Sequence, residues 1–136
     1  MMIDEIEGMT VMVSDQQKAL DFYTEKLGFE SKLDTDVAGF RWIVVGPPNS
    51  KTVLSLADPV NVEKWSEKKS TKLDLKIGTP TGIWFFTKNI DETYHELQSK
   101  GVEITKPEKQ VWGGIMCTVY DQDKNSFGLV GDSEQH

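Results

Sequence analysis

The feature that most constrains this chain is its repetition. Moving the sequence along itself by 74 residues lays Gly8 on Gly82, Asp15 on Asn89 and Ala19 on Thr93. A shift of 73 lays Gly28 on Gly101 and Ser55 on Gly128. A chain of 136 residues that carries the same pattern twice must build one supersecondary unit twice, so one reading serves both halves. In the first half, Ile6 to Val13 alternates as a strand, and Asp15 stands where an N-cap carboxylate would accept from free backbone N–H groups. Ala19, Leu20, Phe22, Tyr23 and Leu27 recur at helical spacing, and Gly28 follows as a left-handed C-terminal stop, which predicts a helix over 16–27. Phe29–Leu33, Gly39–Val45 and Thr52–Ala57 then read as strands, separated by a polar turn at Asp34–Asp36 and by Gly46-Pro47-Pro48-Asn49.

The second half repeats the order. Gly82-Ile83-Trp84-Phe85-Phe86 is β-rich, Asn89 caps a helix spaced by Ile90, Thr93, Tyr94 and Leu97, and Gly101 stops it. Val102–Thr105, Val111–Tyr120 and Ser126–Val130 supply three more strands. The expectation is a single α+β domain of two βαβββ modules, at about 1–58 and 80–131, joined by a charged linker over 59–79. The lysine-rich run of that linker reads as a solvated short helix and tether rather than a binding patch.

Charge and cysteine use narrow the function classes. Fifteen basic against 22 acidic residues give a net charge of -7, which repels a phosphate backbone, so nucleic acid is not an expected partner. Nor is a membrane, because no apolar run approaches the roughly 18 residues of a spanning helix. The lone Cys117 cannot pair within the chain, and the N-terminus shows no charged-then-apolar leader, so a cytoplasmic location is expected. Apolar neighbours around Cys117 favour an inert buried thiol over a nucleophile.

Three stretches carry a family resemblance. VSDQQKALDFYTEKLGFE, its echo KNIDETYHELQSKGVEI, and DQDKNSFGL, which is similar to a D-P-D-G-N-x-x-E-L signature, together resemble the vicinal oxygen chelate superfamily of glyoxalases, ring-cleaving extradiol dioxygenases and bleomycin resistance proteins. The resemblance covers nearly the whole chain. It implies two βαβββ modules whose curved mixed sheets enclose a cup, commonly completed by a homodimer. It also implies four metal-ligand positions, which fall here on Gly8, Ser55, Gly82 and Gly128. Glycine offers no side-chain donor and a serine hydroxyl is a poor ligand alone, so no metal and no cofactor are expected. The two histidines, His95 in the second helix and His136 at the end, are badly placed to substitute, and Glu7 points to the opposite strand face from position 8.

Without ligands the cup is expected to act as a pocket, each glycine leaving volume in its wall. The candidate ligand-binding residues are Thr10 and Met12 on the first strand, Ser55 on the fourth, Trp84 and Phe86 on the fifth, and Trp112 at the rim beside Gly113-Gly114. Trp84 and Phe86 either offer stacking faces or fill the cup as core, and Trp112 either rims it or anchors the next strand. Of Arg41 and Trp42 at most one side chain points inward, and Arg41 reads as paired with surface acids. The favoured function is metal-independent binding of a hydrophobic or aromatic small molecule. The alternatives are a lyase or dioxygenase-type enzyme with displaced or non-metal groups, Asp58 being one carboxylate to consider as base, and a structural or partner-binding domain.

Overall fold

Each half begins as a strand that runs into a side-chain-capped helix, and the caps are those the sequence carries. A computed structural model describes residues 2–66 and 75–132. Strand β1 (Gly8–Met12) leads to Asp15, whose carboxylate accepts from the Lys18 backbone N–H at 2.9 Å and opens helix α1 (Gln16–Asp21). The predicted helix over 16–27 changes geometry midway. Phe22–Lys26 winds as a π-helical turn, closed by a bond from Leu27 N–H to the Phe22 carbonyl, while the Thr24 hydroxyl takes the Leu20 carbonyl at 2.8 Å. Tyr23 is thereby fully buried, and Gly28 ends the turn at φ +76°.

Strands β2 (Glu30–Val37), β3 (Phe40–Gly46) and β4 (Val53–Ala57) complete a sheet in the order β1-β4-β3-β2. The edges of the order differ: β1 and β4 run parallel, and the rest antiparallel. The turn expected at Asp34–Asp36 lies instead within β2. The chain reverses at Ala38 and Gly39, both at positive φ (50° and 89°), as a two-residue hairpin requires. Asp34 is tolerated in the exposed edge strand because Arg41 on β3 binds it through Nε and Nη2 at 2.9 and 2.8 Å. Helix α2 (Pro59–Ser66) follows, opened by Asp58, whose carboxylate accepts from Asn61 N–H at 2.8 Å. The lysine-rich run predicted beyond it lies largely outside the described residues.

The second half comprises β5 (Pro80–Thr87), α3 (Ile90–Ser99), β6 (Glu108–Lys109), β7 (Ile115–Tyr120) and β8 (Ser126–Gly131), in the sheet order β5-β8-β7-β6. Asn89 caps α3 by accepting from Glu92 N–H, and Gly101 at φ +83° terminates it. Val102–Thr105 is not a strand; its Ile104 makes a single bridge to Val119. The strand expected from Val111 starts only at Ile115, because Gln110–Gly114 closes as a tight turn with Gly113 at φ +99°. In the DQDKNSFGL stretch, the buried Asp121 carboxylate accepts from the N–H groups of Asp123 and Asn125 and from Asn125 Nδ2, holding the turn into β8.

The repeat is visible in the pairing itself. Thr10 lies opposite Ser55 in the first sheet and Trp84 opposite Gly128 in the second, as the shifts of 74 and 73 require. The chain resolves into two compact units, Met1–Ile77 and Gly78–His136. In the first, Val11, Leu54, Leu56, Ile43 and Val45 share one sheet face and are buried with Ala19 and Tyr23. In the second, Phe127, Leu129, Cys117 and Val119 play that part with Ile90 and Leu97, and the half-buried Phe85 stacks on Phe127 at 4.7 Å. Each unit therefore has its own core on the helix side of its sheet.

Candidate functional site

The sheet face turned away from α1 in the first unit holds the cavity. Parallel pairing of β1 with β4 sets Thr10 beside Ser55, and β4 with β3 sets Ser55 beside Val44. Two residues earlier on β3 comes Trp42, opposite Thr35, and then Phe40, opposite Val37 at the hairpin end. A cavity of about 530 Å³ lies against this face, lined by Thr10, Ser55, Ala57, Trp42, Phe40 and Val37, with Arg41 and Leu56, and closed at one end by Asn61 and Val62 of α2. That volume is within the range that takes a small organic molecule. Its lining is mostly apolar, with one indole, two hydroxyls, one carboxamide and one charged residue, Arg41. The Thr10 and Ser55 hydroxyls have no hydrogen-bond partner among the described residues.

The polar framework lies behind and beside the cavity. The bidentate hydrogen bond to Arg41 holds the Asp34 carboxyl below its usual range, and Asp34 in turn raises the Arg41 guanidinium. This pairing uses the face opposite Trp42, so the cation is spent on structure. Gln16, at the start of α1, is buried and donates to the carbonyls of Arg41 (3.0 Å) and Leu56 (2.8 Å), and accepts from Asn61 Nδ2 at 2.7 Å. That one side chain ties α2 to β3 and β4. Asp58, weighed from sequence as a base, serves as the α2 cap.

Of the sequence-predicted site residues, Thr10 and Ser55 come together in this cavity. Met12 shares their face but is buried at 7% exposure and is not in the lining. Trp84 and Phe86 belong to the second unit, where they stand 74% and 68% exposed on the sheet face beside Gly128 and Val130. They do not fill a core there. Trp112 lies in the Gln110–Gly114 turn, 58% exposed, with its ring lying over Gly114. Sequence reasoning missed Val37, Phe40, Asn61 and Val62 as lining, and left Trp42 in balance with Arg41. The register of β3 on β4 was the signal for Trp42, since pairing Val44 with Ser55 decides which neighbour shares a face with Ser55.

A model of the Glyoxalase/Bleomycin resistance protein/Dioxygenase superfamily matches residues 3–129. The chain belongs to that superfamily. Among curated relatives, YurT of Bacillus subtilis is 35% identical over 113 residues, covering 82% of this chain and 86% of YurT. Among solved structures, a superfamily member from Sphaerobacter thermophilus has a TM-score of 0.82 at 38% identity, covering 97% of this chain and all of that one. TnmS3, an antibiotic binding protein from Streptomyces sp. CB03234, has a TM-score of 0.79 at 30% identity, with 98% and 99% of the two chains covered.

The superfamily's metal positions do not fit an ion here. Gly8, Gly82 and Gly128 bring no donor, and among the described residues no group of three or more His, Cys, Asp and Glu side chains is gathered as ligands would be. The expectation that these glycines open volume needs correction. A Cβ on Gly8 would meet the Val53 carbonyl oxygen at 2.6 Å, so glycine there permits close strand approach. Beside Gly128 the space is taken by Met116 Cε, 2.5 Å from such a Cβ, with Trp84 Cδ1 at 3.7 Å. Gly82 does face open space, but its φ of +76° sits where the β5–β8 register slips, which explains the residue by backbone alone. None of the three glycines is among the residues that line the cavity, whereas α2 contributes two of them.

Proposed function

We propose that this superfamily member is a small-molecule-binding protein that sequesters a flat, hydrophobic or aromatic compound without a metal ion. The observation that carries the reading is the cavity of about 530 Å³, whose lining offers an indole, two aliphatic walls and unengaged hydroxyls but no acid or imidazole. Stacking and apolar burial supply affinity in such a site, and a few polar groups supply orientation. The likeness to TnmS3, an antibiotic binding protein, supports the binding of a small molecule. A lyase or dioxygenase would need a base or a ligand set at the cavity, and the lining contributes neither. The working form is a cytoplasmic homodimer, in which association covers exposed strand edges.

The test is a fluorescence titration of EDTA-treated protein with 1-methoxypyrene. Saturable binding that does not change when Zn²⁺ or Mn²⁺ is restored, and that weakens about tenfold in Trp42→Ala, is the expected result. Binding that requires the added ion would overturn the metal-independent reading.

A further inference from the structure

Gln16 and Asn61 fix the direction of one hydrogen bond at the cavity. Gln16 Nε2 lies within hydrogen-bond distance of two backbone carbonyls, Arg41 O and Leu56 O. Carbonyl oxygens only accept, so the Gln16 nitrogen must face them and its Oε1 must face the other way. Asn61 meets that Oε1 at 2.7 Å, and an oxygen there requires a donor, so the facing atom is Nδ2, which also lies 3.5 Å from Arg41 O. The backbone at Asn61 is held in turn by the Asp58 carboxylate. Asn61 Oδ1 is then the polar atom of a cavity-lining side chain with no partner among the described residues. Rotating the amide to present a donor would set two oxygens against each other and break the bond to Gln16.

We propose that Asn61 is a specificity-determining residue, its Oδ1 acting as a one-way acceptor that selects neutral planar aromatic compounds bearing a phenolic O–H or ring N–H. The proposal rests on the small-molecule-binding reading above and adds the ligand chemistry. Thr10 and Ser55 hydroxyls can donate or accept, so they tolerate either kind of group. Asn61 cannot. Neutrality follows from the lining: its one charged residue, Arg41, commits its guanidinium to Asp34 on the other sheet face.

The experiment compares 1-hydroxypyrene with 1-methoxypyrene, in which a methyl group removes the donor and keeps the ring. Wild-type protein is expected to bind the hydroxy compound about tenfold more tightly, the effect of one well-placed hydrogen bond. Asn61→Leu and Asn61→Ala are expected to abolish that preference: whatever affinity each variant keeps for 1-methoxypyrene, 1-hydroxypyrene should bind it no more tightly. Equal affinities in wild-type protein would overturn the proposal and leave the binding reading standing. So would a preference that survives in both variants, or one lost in Thr10→Val instead, which would move the acceptor to a hydroxyl. If neither pyrene binds, the binding reading fails for planar aromatics and the proposal falls with it.

Discussion

Replacing Gln16 with leucine tests the polar framework on which the cavity depends. Leucine has nearly the same volume, so Gln16→Leu leaves little void and isolates the hydrogen bonds. Three are lost: two donated to buried backbone carbonyls and one accepted from Asn61. A net bond contributes about 1 kcal/mol, and a buried group left unpaired costs about 1–3 kcal/mol, while leucine recovers some apolar transfer energy. The expected loss is about 2–3 kcal/mol. In urea unfolding, with a slope of about 1–3 kcal/mol per molar for a domain of this size, the midpoint should fall by about 0.7–3 M without a change of slope. Combining the change with Asn61→Leu should give less than the sum of the single effects, by about 1 kcal/mol, because the two side chains share a bond. A loss below about 0.5 kcal/mol, or strict additivity, would refute the orientation argued for both amides.

Gly8→Ala should destabilise the protein more than Gly128→Ala. The first drives a Cβ against a backbone carbonyl and should cost about 1–3 kcal/mol, whereas the second meets only the mobile end of Met116; melting temperatures in the reverse order would contradict this. Cys117 is buried, which pushes its thiol up to about 11, so the native protein should resist iodoacetamide at pH 8 and react once unfolded in guanidinium; rapid native alkylation would contradict this. Arg41→Met should lower stability at pH 7 by no more than about 1 kcal/mol, since the pair is partly exposed. Because the folded-state value of Asp34 is depressed, its contribution is complete above the unfolded value near 3.8 and is lost as pH falls through the folded one. The wild-type and variant unfolding curves should therefore converge as pH falls through the folded-state value, and a difference that does not shrink in acid would exclude the ion pair as its source.

What the sequence made legible was local. Asp15, Asn89, Gly28 and Gly101 act through their own neighbours, so the caps and the repeat could be read directly. Asp34–Asp36 misled because two aspartates around a threonine have turn chemistry, and their strand assignment depends on Arg41 across the hairpin. The π-turn at Phe22–Lys26 has the apolar spacing of an ordinary helix and departs from it only in the bonds of Thr24 and Leu27. At the site, Thr10 and Ser55 followed from alternation on two strands. Trp42 needed the register of a third strand, and Asn61 needed α2, which sequence assigned to a linker, to dock through Gln16. Such contacts join residues 45 positions apart and leave no periodic trace.

The central claim, that a metal-free cavity on the first sheet takes an aromatic ligand, is tested most directly by amide and indole NMR shifts of ¹⁵N-labelled, EDTA-treated protein titrated with 1-hydroxypyrene. Saturable shifts are expected at Thr10, Ser55, Asn61 and the Trp42 indole N–H. Shifts that appear only after a divalent ion is added, or that are confined to Trp84, Phe86 and Trp112, would contradict it.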